Sequence, residues 1–193
     1  MDTAKIINSL KEWMPGLRND DITLAWQHPI DVMNVFDEML SSTDAFTLDA
    51  ELDEVFRVVC LLHDILEDGI KDSKKFSEED LATYIRVDMN TFSSQNSHKI
   101  QCAIMALTKV GNTSFGTMGL LSYFMKLSRN DIAIIVKCCD RISNLRTAEK
   151  DFEPYRFERY RWETKMFVIP MLDNLLDFNK WDTWLRNELT ELS

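Results

Sequence analysis

Glycine and proline are scarce, five and four in 193 residues. That is too little punctuation for a many-turned β protein and favours long helices joined by loops. Basic residues are also in deficit, 22 against 32 acidic, for a formal charge of −10. A general nucleic-acid binder needs a basic surface to neutralise phosphates, so nucleic acid is not an expected partner. An anionic small molecule stays open, because a bound dication and a few local Lys or Arg reverse the field inside a cleft. No apolar run approaches the roughly 20 residues that cross a bilayer, and no signal peptide opens the chain. The four cysteines, Cys60, Cys102, Cys138 and Cys139, sit in apolar runs without metal-ligand spacing, as buried reduced thiols do. The expectation is a soluble, cytoplasmic protein without membrane contact. Its length and its 45% hydrophobic and 28% charged content fit a single domain over 1–193. The oligomeric state stays open.

What is present is helical spacing. Ile6, Ile7, Leu10, Trp13 and Met14 follow it until Pro15-Gly16, and Val32, Val35, Phe36, Met39 and Leu40 form a second stripe that starts near His28-Pro29, where proline suits a first turn. Residues 51–67 are apolar nearly all round, which predicts a buried central helix, with Gly69 as terminator. Residues 71–100 are polar, with a short helix from Glu78 to Arg86 inside a mobile connection and His98 in a polar loop. Ile100 to Leu107 resumes apolar spacing, and Gly111 to Gly119 is the loosest stretch. Ile132 to Cys139 is β-branched and alone suits a buried strand, but no second strand exists to pair with it, so it is read as a helix. Residues 155–178 and 181–189 are expected as closing helices, the second with Trp181, Trp184, Leu185 and Leu189 on one face. The fold class expected is all-α, a helical bundle.

Residues 63–68, His63-Asp64-Ile65-Leu66-Glu67-Asp68, end the apolar run from Val55 to Leu62. Charged groups near a core need a partner, and the usual ones are opposite charges or a metal ion. On a continuous helix, His63 and Glu67, and likewise Asp64 and Asp68, would share a face at i and i+4. Asp140 ends another apolar run, with Asn144 and Thr147 one and two turns beyond it. His28 completes a set of two imidazoles and two carboxylates, which suits Mn²⁺, Fe²⁺, Co²⁺ or Zn²⁺ better than Ca²⁺ or an all-oxygen Mg²⁺ site. Glu67 is a candidate to orient His63.

The ordered set His28, His63-Asp64 and Asp140 resembles the signature of the HD superfamily of metal-dependent phosphohydrolases. Its surroundings are similar to the hydrolase domain of the RelA/SpoT group and its small stand-alone homologues. They are His28-Pro29-Ile30, Leu61-Leu62-His63-Asp64-Ile65-Leu66-Glu67-Asp68, and Lys137-Cys138-Cys139-Asp140-Arg141-Ile142-Ser143-Asn144-Leu145-Arg146-Thr147. Leu107-Thr108-Lys109 and, more loosely, Arg161-Trp162-Glu163-Thr164 also resemble family segments, so the likeness spans roughly residues 20–175. The resemblance implies an all-α HD-domain bundle with Mn²⁺ held by His28, His63, Asp64 and Asp140, and with Glu67 and Asp68 managing the attacking water. It places Asn144, Arg146 and Thr147 along a nucleotide; Lys109 and Lys137 are separate candidates for phosphate contact, and Arg18, the only cation near the segment before His28, is a further candidate substrate contact. The activity implied is removal of the 3′-pyrophosphate from (p)ppGpp, the alternatives being another nucleotide substrate or a non-catalytic nucleotide-binding module. The chain departs from the family just before His28. A basic stretch with Gly-x-Pro-Tyr is usual there, whereas Asn19 to Gln27 is acidic and lacks glycine.

Overall fold

Helical spacing of apolar residues shapes the chain from its first element. The computed structural model describes residues 2–18, 23–42, 48–109, 116–176 and 178–193. Helix α1 (Thr3–Trp13) starts at an Asp2 cap whose side chain accepts from the Lys5 amide, and it buries Ile6, Leu10 and Trp13. Helix α2 (Gln27–Ser42) buries Val32, Val35, Phe36 and Met39. Helix α3 (Ala50–Leu62) is buried from Val58 to Leu62, and a short α4 (Ile65–Asp68) follows after a two-residue break. The expected continuous helix over 51–67 is therefore interrupted. Asp64, at φ −99° and ψ 0°, occupies the sparsely allowed bridge region, which a regular helix does not use.

A two-residue hairpin follows, strand β1 (Ile70–Lys71) paired antiparallel with β2 (Lys74–Lys75). Asp72 and Ser73 at its tip have φ of 50° and 61°, the left-handed pair that a tight primed turn requires. Helix α5 (Glu78–Thr83) opens with a reciprocal Ser77–Asp80 capping box and continues as a π-helical turn, Tyr84–Met89. The 71–100 region thus carries a hairpin, α5 with its π-helical turn and the start of α6 rather than a single short helix. Helix α6 (Ser94–Leu107) includes His98, which places that residue on a helix and not in a loop.

Helices α7 (Gly116–Leu127) and α8 (Asp131–Asp151) come next. Every residue from Ile132 to Leu145 is buried, and a helix covered on all sides need not be amphipathic. That is why its β-branched run is helical. Helix α9 (Pro154–Glu163) runs into a π-helical turn (Thr164–Val168), then α10 (Ile169–Met171) and a 3₁₀ turn (Leu172–Asn174), so the expected closing helix over 155–178 is segmented. Helix α11 (Asp182–Leu192) closes the chain and buries Leu185 and Leu189.

Helices α2, α3 and α8 pack on one another, with α6 against α3 and α11 against α8. At their centre Phe36 stacks on Phe56 at 5.1 Å, and Trp181 meets both edge-on at 5.9 and 5.4 Å. The result is an all-α bundle whose only sheet among the described residues is the small hairpin. No helix among them is long and apolar enough to cross a membrane.

Candidate metal centre and its cleft

Three helices deliver the cluster. His28 lies in the first turn of α2, His63 and Asp64 form the break between α3 and α4, and Asp140 sits mid-way along the buried α8. His28, His63 and Asp140 are all under 5% exposed. His28 Nε2 is 2.9 Å from Asp140 Oδ1 and 3.8 Å from Asp64 Oδ2. His63 Nε2 is 3.0 Å from Asp64 Oδ2 and 3.8 Å from Asp140 Oδ1. Each carboxylate oxygen thus stands near both imidazole nitrogens. Donor atoms sharing one ion at about 2.1 Å are about 3 to 3.4 Å apart, so the cluster is close to coordination spacing.

The tautomer of His63 follows from chemistry. Its Nδ1 is 2.8 Å from the Cys60 carbonyl, which can only accept, so Nδ1 carries the proton and donates. Cys60 O belongs to the last turn of α3, where helix carbonyls lack backbone partners. The orienting group is therefore this carbonyl and not Glu67, because the break at Asp64 ends the regular i, i+4 register. The opposite nitrogen, Nε2, is buried and makes no hydrogen bond among the described residues, although Asp64 stands at ion-pair distance. A buried imidazole nitrogen aimed at two carboxylates is a donor set that a borderline transition-metal ion takes. His28, His63 and Asp64 offer atoms within 4.8 Å of one another, and Asp140, outside that set, reaches the two imidazoles at 2.9 and 3.8 Å; the donor types suit a divalent transition-metal ion.

Electrostatics here set burial against pairing. Burial alone would lower the His63 imidazolium, but Asp64 and then Asp140 outweigh it and raise it to about 9. Burial would raise Asp64, yet the His63 ring holds it down at about 2. For Asp140 burial is likewise overcome, by Lys137 first and then by His28, and the carboxyl stays well below its usual range. Lys137 Nζ is 2.6 Å from Asp140 Oδ2. Asn144 Nδ2 donates to Asp140 Oδ1 at 2.6 Å. Asp140 therefore shows Oδ1 to the imidazoles and gives Oδ2 to the lysine.

Glu67 and Asp68 stand on α4 beside the cluster. Glu67 Oε1 accepts from the Lys109 amide at 2.7 Å. Asp68 is on the exposed lip, where desolvation and then the charges of Asp64 and Glu67 raise its carboxyl. A cleft of about 420 Å³ opens onto His28, Asp64 and Asp68, walled by Met14, Leu17, Arg18 and Ile70. Arg18 Nη2 donates to Asn144 Oδ1 at 2.6 Å.

Of the residues read as a site, the structure brings His28, His63, Asp64, Asp140, Asn144, Arg18, Lys137, Glu67 and Asp68 together, with Lys109 attached through Glu67. Arg146 and Thr147 lie elsewhere. The Arg146 guanidinium is held by Glu38 at 2.7 Å and Glu188 at 3.0 Å, and it lines a separate depression with Thr147. Asn19 to Ile22, in the unusual stretch before His28, and residues 110–115, in the Gly111–Gly119 segment, lie outside the described residues. Sequence reasoning missed the Cys60 carbonyl, which no side-chain motif encodes, and the packing of Arg141, Tyr123 and Tyr160 around Lys137. Arg141 was visible only as the residue beside Asp140. No protein-family model matches the chain, and no curated protein matches it.

Proposed function

We propose that the chain is a Mn²⁺-dependent phosphohydrolase that removes the 3′-pyrophosphate of (p)ppGpp. The observation that carries this reading is the convergence of His28, His63 and Asp64, whose donor atoms lie within 4.8 Å of one another, with Asp140 Oδ1 2.9 Å from His28 Nε2 and 3.8 Å from His63 Nε2. Those four residues would hold the ion. When bound, the ion lowers the pKa of water from near 16 towards about 7 and offsets charge on phosphoryl oxygens.

The remaining work belongs to the chain's own carboxylates. Glu67, fixed through Oε1 by the Lys109 amide, orients the attacking water and takes its proton, a contribution of roughly 10²–10⁴-fold. The water oxygen bonds to the phosphorus on the ribose 3′ oxygen, the P–O3′ bond breaks, and O3′ leaves with a proton relayed by the Glu67–Asp68 pair. Arg18 and Asn144 line the approach.

A second reading keeps the ion and water but changes the substrate to another nucleotide, such as a dNTP, a nucleoside monophosphate or NADPH. Arg18 favours it, as the only Lys or Arg lining the cleft among the described residues. Purified protein with Mn²⁺ should be offered ppGpp, dNTPs, NADPH and nucleoside monophosphates, beside His63→Ala and Glu67→Ala. Pyrophosphate released from ppGpp alone, and lost in both variants, is the expected result. Turnover of a different substrate supports the second reading, and binding without hydrolysis would reduce the chain to a nucleotide-binding module.

A further inference from the structure

Beyond Lys137 lies a second cavity, about 120 Å³ in volume, that plays no part in holding the ion. Its charged lining is lopsided. Lys109, Lys137, Arg141 and Arg159 face it with one carboxylate, Glu163. Glu163 is spent on the arginines, 3.0 Å from Arg159 Nε and 3.7 Å from Arg141 Nη2. Lys137 is spent on Asp140, while the Lys109 ammonium has no carboxylate partner among the described residues and stands 5.7 Å over the Tyr123 ring.

Arg141 supplies a second, independent observation that points to an anion. It is 3% exposed, its guanidinium lies 3.6 Å from the centre of the Tyr160 ring, and Nη1 donates to the Tyr160 carbonyl at 3.1 Å. Its Nε is buried with no hydrogen-bond partner among the described residues. A buried donor left unmade is costly, more so when it carries charge. An anion seated in the cavity would satisfy Nε and relieve the mutual repulsion of the cations.

The cavity and the metal cluster are two faces of one residue. Asp140 turns Oδ1 to His28 at 2.9 Å and Oδ2 to Lys137 at 2.6 Å, and Lys137 lines the cavity. We propose that this cavity is a metal-independent anion pocket that takes the distal phosphate of a pyrophosphoryl group whose proximal phosphorus lies at the metal cluster. The inference rests on the phosphohydrolase reading and sharpens it. The group transferred to water is pyrophosphoryl, and monophosphate esters leave the pocket's cations unmatched.

The test is calorimetric titration of chelator-treated, metal-free protein with inorganic pyrophosphate and inorganic phosphate. Wild type should bind one pyrophosphate per chain, and more tightly than phosphate. A Lys109→Gln/Arg159→Gln double variant, changed only at exposed side chains, should bind about tenfold or more weakly, since two charged donors are lost. Arg141→Lys, with its fold checked by circular dichroism, should also weaken binding because Nε is gone. Lys74→Gln, an exposed change on β2 that does not line the cavity, should bind like wild type. Equal binding by wild type and the double variant would overturn the pocket, as would no binding at all. Pyrophosphate binding without ppGpp turnover would keep the pocket and remove the alarmone reading. Turnover of ppGpp without metal-free binding would do the reverse.

Discussion

His63 holds two protonation problems in one ring. Nδ1 is committed to the Cys60 carbonyl, so any ion must take Nε2, which Asp64 and Asp140 keep protonated up to about pH 9 in the metal-free protein. Because the folded value is raised above the ordinary 6.5, the His63–Asp64 pair stabilises the metal-free fold fully below pH 6.5, and that stability is lost as pH rises through about 9. Metal binding follows the opposite slope, since the ion displaces the proton. Mn²⁺ affinity should therefore rise by about tenfold per pH unit between roughly 6.5 and 9 and then level off, one proton leaving per ion. Titrations at several pH values check this, and a flat profile would mean that His63 is not a ligand.

At the scale of elements, the break at His63-Asp64 is what places two imidazoles and two carboxylates in register. Gly69 secures its far end. A Cβ there would collide with the Ile65 carbonyl oxygen and lie 2.7 Å from Ile65 Cδ1. Gly69→Ala should cost about 1–3 kcal/mol by overpacking, read by denaturant unfolding, and should lower metal affinity as α4 shifts. Little of this element was legible beforehand. The apolar run from Val55 to Leu62 announces a core helix, and α1 and α2 are equally plain from their stripes. A bridge-region residue such as Asp64 leaves no periodic trace. The Ile70–Lys75 hairpin was invisible because two-residue strands carry no alternation, and its tip uses Asp72-Ser73 rather than a glycine pair. The grouping of His28, His63, Asp64 and Asp140 was legible because each of them ends or opens an apolar run. The place of Arg146 was not, because it depends on ion pairs with Glu38 and Glu188, which are distant in sequence and brought to it only by the fold.

Across the whole molecule, the cluster depends on how α2, α3 and α8 are clamped. Phe36 on α2, Phe56 on α3 and Trp181 ahead of α11 form one aromatic knot, all at 1% exposure or less. Trp181→Ala should destabilise the fold by about 3–5 kcal/mol, measured by chemical denaturation, while any protein that remains folded keeps its ion site. A change below about 1 kcal/mol would show that the knot does not hold the helices together.

If His28, His63, Asp64 and Asp140 hold one divalent transition-metal ion, bound Mn²⁺ can be counted directly. Electron paramagnetic resonance titration at pH 8 should show one Mn²⁺ bound per chain in the wild type. His63→Ala and Asp140→Asn, checked for an intact fold, should lose that binding. No saturable Mn²⁺ binding in the wild type, or an undiminished equivalent in either folded variant, would contradict the account.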